Sequence, residues 1–453
     1  MDLGRVLITI GMWVSACRPT SPSSELPTPP PPPPPAPGHA AIDAGGADSS
    51  DAAPDVTATA APQMDPDGND DGTEFAAALP RQGRFVKVGR HFASLQRICD
   101  LRAFGGKLYA GHATQPLMFS GATVTRFDPA TGKFDLLFDW NRPGQPEKGG
   151  GAGQGFLRIR NIDGRLYVPD GDPPYLGLGM TRFGVEGYVF TSDATGRFAP
   201  ARRPGYLPPA LSKDGSAGSV VLPGALHVFD VIRFRGRLYA STGAVLKDWT
   251  RSNASPATLF ASTDSGVWEA VATHPDPPMR GAWRFRYLVR FKDRLYAAVT
   301  DFDAQDGVEY VVFEPAPGSR ELGKGRPVQV TDGGAALTLR WFTDRGKLYW
   351  LVNSGVFVTD DGDHWRRIPL PVSAGHPADM ARVGDDVVLL TERALFRVDP
   401  SGLHQIAVVD ESMSPAKARN LTCAAPLAVL GGTLFAGGQR RGELFKLEAA
   451  PEP

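Results

Sequence analysis

An all-β fold, a seven-bladed β-propeller of four-stranded blades, is predicted by three observations. A tetrapeptide returns along the chain, alternating strands surround each copy, and an orphan strand completes the last repeat. The tetrapeptide reads Gly106-Lys107-Leu108-Tyr109, Gly164-Arg165-Leu166-Tyr167, Gly236-Arg237-Leu238-Tyr239 and Gly346-Lys347-Leu348-Tyr349. Degenerate copies at Asp293-Arg294-Leu295-Tyr296, Asp385-Asp386-Val387-Val388 and Gly432-Thr433-Leu434-Phe435 bring the number to seven. The leucine position falls at 108, 166, 238, 295, 348, 387 and 434. Intervals of about 40 to 70 residues are those of propeller blades that carry loop insertions.

The chain opens differently. Val6 to Val14 is an apolar run too short to span a bilayer and of the length of a signal-peptide core. It ends at Val14-Ser15-Ala16-Cys17, which resembles the bacterial lipoprotein box. That resemblance implies a signal peptide over 1–16 and lipidation of Cys17. With Arg rather than Asp at position 18, it also implies an outer-membrane lipoprotein of the bacterial cell envelope, on the periplasmic or the surface side. Residues 17–82 are expected to be a disordered tether. They hold the proline run Pro29 to Pro35 and then mostly Ala, Gly, Ser and Asp, with too little apolar surface to offset the entropy of ordering. Ten acids against two bases give residues 18–82 a net charge of −8, which leaves +7 on 83–453 from a whole-chain −1. A basic propeller on an acidic tether favours anionic partners. No nucleic-acid motif is present, and no nucleic-acid partner is expected.

Residues 83–453 divide into blades by alternation and turn residues. The third is the clearest: His227 to Phe234, Arg237 to Thr242, Ala257 to Ser262 and Val267 to Ala272. The fifth repeats it with Thr338 to Phe342, Lys347 to Val352, Gly355 to Thr359 and His364 to Ile368. The last blade is one strand short, and Arg84 to Val88 supplies the missing outer strand, closing the ring and covering its edges. Asp360-Asp361-Gly362-Asp363-His364-Trp365 and Ser262 to Trp268 resemble the Asp-box hairpins of BNR, sialidase-like propellers, with Val358 in place of the box serine. That resemblance implies turns on the outer rim and says nothing of catalysis.

After Cys17, only Cys99 and Cys423 remain, on inner strands of the first and last blades. A disulfide and two buried thiols are both open for them. The oxygen-rich stretches Asp65 to Gly72 and Asp301 to Gly307 read as acidic loops, so no metal and no cofactor is expected. Gly-x-Ser-x-Gly, His-Glu-x-x-His and Cys-x-x-Cys are absent.

Counting eight and eleven residues back from each repeated leucine finds polar residues heading otherwise apolar inner strands. Arg97, Asp100, Arg158, His227, Asp230, Arg284, Tyr287, Arg340, His376 and Asp379 are the candidate ligand contacts, at the mouth where inner strands begin. Pairing of Arg with Asp across the channel is the structural alternative. The Gly-rich loop from Asn141 and the loop Asp170 to Gly187 would overlie the same face. The expected function is a binding or scaffolding module, displayed by its lipid anchor, for a glycan, an envelope component or a protein, and not an enzyme. The alternative is a sialidase-like glycoside hydrolase with Arg158, Arg284 and Arg340 on a carboxylate, Tyr287 as nucleophile and Asp100 or Asp230 as acid/base.

Overall fold

The repeated tetrapeptide forms the corner and second strand of a hairpin. At Gly105-Gly106, Asp163-Gly164, Arg235-Gly236, Lys292-Asp293, Arg345-Gly346 and Gly431-Gly432, both corner residues have φ between 45° and 78°. That left-handed pair is a type I′ turn, whose twist matches the flanking strands, and a glycine carries it without a Cβ clash. The apolar residue that follows then points into the core: Leu108, Leu166, Leu295, Leu348 and Leu434 are all at most 2% exposed.

The computed structural model describes residues 69–70, 78–91, 97–113, 122–140, 155–171, 175–176, 180–181, 186–199, 216–223, 225–243, 257–263, 266–275, 284–300, 308–330, 337–411, 413 and 423–451. Two strands precede the first repeat, β1 (Asn69–Asp70) and β2 (Gly83–Gly89). The first repeat is β3 (Arg97–Phe104), β4 (Lys107–Ala113), β5 (Thr123–Asp128) and β6 (Lys133–Asp139). The second is β7 (Arg160–Ile162), β8 (Arg165–Pro169), the ribbon β9 (Tyr175–Leu176) and β10 (Met180–Thr181), then β11 (Glu186–Thr191) and β12 (Gly218–Pro223). The third is β13 (Leu226–Phe234), β14 (Arg237–Gly243), β15 (Thr258–Ser262) and β16 (Trp268–Thr273). The fourth is β17 (Arg284–Phe291), β18 (Arg294–Thr300), β19 (Val308–Phe313) and β20 (Arg326–Val330). The fifth is β21 (Thr338–Asp344), β22 (Lys347–Val352), β23 (Gly355–Thr359) and β24 (Arg366–Ile368). The sixth is β25 (Pro377–Val383), β26 (Asp386–Thr391), β27 (Ala394–Asp399) and β28 (Gly402–Val408). The last is β29 (Leu427–Leu430), β30 (Thr433–Gly437) and β31 (Leu444–Ala449).

The fold is an all-β propeller, but hydrogen bonding does not divide it into seven separate blades. Among the described residues, five sheets have the size of one blade, four of four strands and one of five. The third and fourth repeats run together as one eight-stranded sheet, because the end of β14 meets the start of β17 at Gly243↔Arg284. The orphan strand closes the last sheet as expected: β2 pairs antiparallel with β31, Phe85 opposite Leu447 and Arg84 opposite Glu448.

Hydrophobic cores sit between neighbouring sheets. Val124 and Phe138 of the first repeat pack with Leu166, Tyr188 and Phe190 of the second. Tyr296 and Tyr310 of the fourth pack with Trp341, Trp350 and Phe357 of the fifth. The Trp341 and Trp350 rings stack 5.0 Å apart, and Tyr310 meets Trp350 edge-on at 5.2 Å. Such buried rings contribute offset and edge-to-face contacts beyond their area.

Two expectations change. The tether boundary at residue 82 is too late, since Leu79 is buried in the core between the sixth and last repeats and β1 pairs with β7 at Asn69↔Ile162. In the β23–β24 turn the capping carboxylate is Asp361, one residue after the position the Asp-box resemblance assigns. Its Oδ1 accepts from the backbone N–H of Asp363 and His364, both at 2.8 Å, while Asp360 pairs outward with Lys347. Those bonds, and the His364 side chain against Oδ2, hold the Asp361 carboxyl below the usual carboxylate range. Cys17, residues 1–16, most of the tether, the Gly-rich loop and Asp301 to Gly307 lie outside the described residues, as does most of the loop after Asp170.

Candidate functional site

Five of the inner strands carry a bulge beside the position eight before the repeated leucine. Register shifts fall between Ile98 and Asp100 in β3, Leu226 and Asp230 in β13, Phe285 and Leu288 in β17, Thr338 and Arg340 in β21, and Pro377 and Asp379 in β25. A bulge bends the strand and re-aims a side chain, which is why the position eight before the repeated leucine recurs as a polar site.

The three aspartates at that position bind the neighbouring repeat. Asp100 Oδ2 accepts from Ile159 N at 2.6 Å, Asp230 Oδ2 from Leu288 N at 3.0 Å, and Asp379 Oδ2 from Leu427 N at 2.8 Å. In each pair the donor sits seven residues before its own repeated leucine, so one device joins the first repeat to the second, the third to the fourth and the sixth to the last. Asp230 and Asp379 also accept the N–H of the next residue, Val231 and Met380, both at 2.9 Å. Asp170, at the end of β8, serves the junction of the second and third repeats by accepting from Tyr188 N and Val228 N, each at 2.8 Å.

Arginines complete the axis. Arg160 grips Asp230 with two bonds of 2.8 Å and donates to Leu288 O at 2.9 Å. Arg158 lies between two carboxylates, 3.7 Å from Asp100 and 3.8 Å from Asp230. Arg340 crosses from the fifth repeat to the first, 3.1 Å from Asp100, donates to Cys99 O, and stands 3.8 Å from Asp379. The guanidiniums of Arg158, Arg286 and Arg340 sit 5.9, 5.0 and 5.9 Å from the centroid of one ring, Tyr287. Cations over a desolvated aromatic face are attracted by its quadrupole.

Burial sets the electrostatics. It pushes the Asp100 carboxyl up, but Arg340, Arg158 and Arg102 outweigh it and hold the group below the usual carboxylate range. Burial and the neighbouring Arg160 bring Arg158 down to about 10, against the pull of Asp100 and Asp230. Arg340 is driven the other way, because Asp100 and Asp379 overcome its desolvation. Burial raises Asp379 despite Arg340.

Of the ten sequence candidates, Asp100, Arg158, Asp230, Tyr287, Arg340 and Asp379 meet at this axis, each no more than 9% exposed. Arg97 is also buried; Arg284 lies over Phe229, 5.7 Å from its centroid, and His227 stacks on the same ring at 5.8 Å with Nδ1 3.2 Å from Gly171 O. His376 is elsewhere: exposed, with Nδ1 2.6 Å from Asn353 O. Sequence counting missed Arg102 and Arg160, two residues further along the same strand face, a period-2 signal that was available. It also missed Arg286, which the β17 bulge takes out of any constant spacing. Cys99 and Cys423 are bonded to each other across the ring closure. There Gln439 also donates to Ile98 O at 2.7 Å.

Space and candidates do not coincide. The axial cavity beside Asp100, Arg102, Arg158 and Asp379 is about 50 Å³, whereas a cleft of about 650 Å³ opens between the fifth and sixth repeats. Small-molecule sites run from about 300 to 1,000 Å³, so that axial cavity has no room for a sugar. The cleft lies on the face where inner strands begin. Its walls are the β22–β23 corner at Asn353 and Ser354, the β26–β27 corner at Glu392 and Arg393, and the crossing segment 369–376. Arg367 donates to Ser354 O at 2.7 Å, and Glu392 accepts from His376 N at 3.3 Å. Gly375 has φ 73°, and a Cβ there would lie 2.7 Å from Glu392 Oε2. Val372 on this segment is fully exposed.

No family model and no curated protein matches the chain. Similar solved structures include the CNH domain of AfRom2, at 8% identity and TM-score 0.43, covering 82% of this chain and 100% of that one. The Dos1 propeller is 11% identical with TM-score 0.41, covering 78% of each chain. The WD40 domain of Neurospora crassa Pan2 is 10% identical with TM-score 0.45, covering 83% of this chain and 98% of that one. The propeller assignment rests on the strand pairing itself.

Proposed function

We propose that this propeller is a binding module that takes an extended protein segment in the cleft between its fifth and sixth repeats. The observation that carries the reading is the mismatch just described: the cavity at the charged axis holds about 50 Å³, while the cleft of about 650 Å³ is lined by Arg367, His376, Glu392 and Arg393 with Val372 fully exposed. The exposed Val372 and the Arg367 and Arg393 guanidiniums, with Glu392 beside them, suit a segment with one large apolar side chain flanked by acids. The charge of +7 on residues 83–453 favours the same partner. Glycan and envelope ligands are the other outcomes of the test. Fluorescence anisotropy of the full chain with acidic-apolar peptides, their charge-reversed counterparts and acidic oligosaccharides decides it. Binding of the acidic peptides, weakened at least tenfold by Arg393→Glu, is expected; no peptide preference, or no effect of Arg393→Glu, overturns it.

The module is displayed from a bacterial outer membrane through lipid on Cys17. The Cys99–Cys423 bond supports an oxidising compartment. Cys17→Ser is expected to move the protein out of the membrane fraction, and unchanged partition rejects the anchor. The ring comprises seven blades, with the eight-stranded sheet counted as two. The single pair Gly243↔Arg284 joining β14 to β17 supports that count.

A further inference from the structure

Around the axis, five buried arginines (Arg102, Arg158, Arg160, Arg286 and Arg340) face three buried aspartates (Asp100, Asp230 and Asp379). Asp230 is engaged bidentately by Arg160, and Arg340 takes the close contact with Asp100. Arg286, 2% exposed, donates to the Thr338 carbonyl at 2.9 Å and has no hydrogen-bond partner on its second terminal nitrogen. Arg158 Nε and Arg340 Nη1 are likewise buried without a hydrogen-bond partner. All three guanidiniums converge on the Tyr287 ring. Buried N–H groups left unmade carry their full desolvation cost, more when the group is charged. An excess of buried positive charge adds to it. Both costs fall if a small acceptor of negative charge enters, and a cavity of about 50 Å³ adjoins Arg158, lined also by Arg102 and by the Asp100 and Asp379 carboxylates.

We propose that the propeller axis binds one small inorganic anion, of chloride to phosphate size, held by the Arg158, Arg286 and Arg340 guanidiniums over Tyr287. Guanidinium donors suit oxyanions in particular, because their fork of N–H groups matches paired oxygens. This site is distinct from the cleft between the fifth and sixth repeats and does not depend on it. Its role is to complete the axis: the anion joins inner strands that the aspartate bonds leave unmatched in charge, β17 and β21 among them.

The test is thermal melting of the full chain in sodium gluconate at fixed ionic strength, with chloride, sulfate or phosphate replacing gluconate over the low millimolar range. Fixed ionic strength removes screening, and low concentration avoids general salt exclusion effects. A midpoint that rises and saturates with at least one anion is expected, as for any ligand that binds only the folded state. Arg286→Gln, which keeps a donor for Thr338 O, is expected to lose that rise and to melt above the wild type in gluconate alone, one uncompensated charge being gone. Equilibrium dialysis of the wild-type chain against labelled sulfate and labelled phosphate, and chloride line-broadening, supply a readout that needs no variant. One anion per chain, displaced by the other anions, supports the site. No saturable binding of any of the three, or a rise undiminished in a folded Arg286→Gln, overturns it.

Discussion

Asp230→Ala separates a structural axis from a solvated mouth. The Asp230 side chain is fully buried and accepts four hydrogen bonds, two from Arg160, one from Val231 N and one from Leu288 N. Removing it leaves a buried guanidinium without its counter-charge and breaks the tie between the third and fourth repeats. Losing one partner of a buried pair costs about 3–5 kcal/mol, and two orphaned backbone donors add about 1–3 kcal/mol each. A loss of about 5 kcal/mol or more is expected. With an unfolding entropy of about 2 cal/mol/K per residue over residues 83–453, that is a drop in Tm of about 6 °C or more. The control is Asp360→Ala, which removes the exposed pair with Lys347, the two side chains being 74% and 42% exposed. Exposed pairs contribute about 0–1 kcal/mol, so its Tm should move by about 1 °C or less. Differential scanning calorimetry of the full chain reads both. Equal, small shifts would show that Asp230 is solvated and would refute the staple reading of all three axial aspartates.

Three further outcomes are expected. Burial holds His112 at a pKa of about 3 against 6.5 in an unfolded chain, with Nε2 2.7 Å from Thr125 Oγ1. The unfolded chain therefore takes up a proton that the folded one refuses between those values, and stability falls by about 1.4 kcal/mol per pH unit as pH drops from 6.5 towards 3. Denaturant midpoints of wild type and His112→Gln at pH 7 and 4.5 check this, a shallower loss in the variant being the expected sign. A chain beginning at residue 78 keeps Leu79 and β2 and should elute without aggregates, whereas one beginning at residue 90 uncovers β31 and should aggregate, read by size-exclusion chromatography. Cys423→Ser opens a bond spanning 324 residues of sequence and should cost about 6 kcal/mol in the chain-entropy account, measured by urea unfolding under oxidising conditions.

Much of the propeller was legible because its repeat is a backbone requirement. Gly106, Gly164, Gly236 and Gly346 occupy the left-handed corner of one turn type, so the tetrapeptide recurs wherever that hairpin does. The closing strand was legible for a complementary reason: the last repeat ends one strand short, and Arg84 to Val88 is the alternating segment without a partner of its own. The division into sheets was not, because it turns on one bridging pair between Gly243 and Arg284, and neither residue belongs to the repeat. The Asp361 turn was misplaced by one residue since the box spacing to Gly362 and Trp365 selects Asp360, and only hydrogen-bond geometry shows which carboxylate caps the turn.

For the axis, spacing found positions but could not assign roles. A polar residue eight before the repeated leucine reads the same in sequence whether it faces ligand or the next strand's N–H. What distinguishes them is the donor, and Ile159, Leu288 and Leu427 donate through the backbone, which leaves no trace in residue type. The bulges explain both the regularity and its failure. They present Asp100, Asp230, Arg340 and Asp379 at a common depth, yet in β17 the shift spans Phe285 to Leu288 and brings Arg286 and Tyr287 to the axis together. One extra guanidinium at that irregular place tips the charge of a buried centre. The departure from the repeat, more than the repeat itself, is therefore where the axial chemistry of this chain is concentrated.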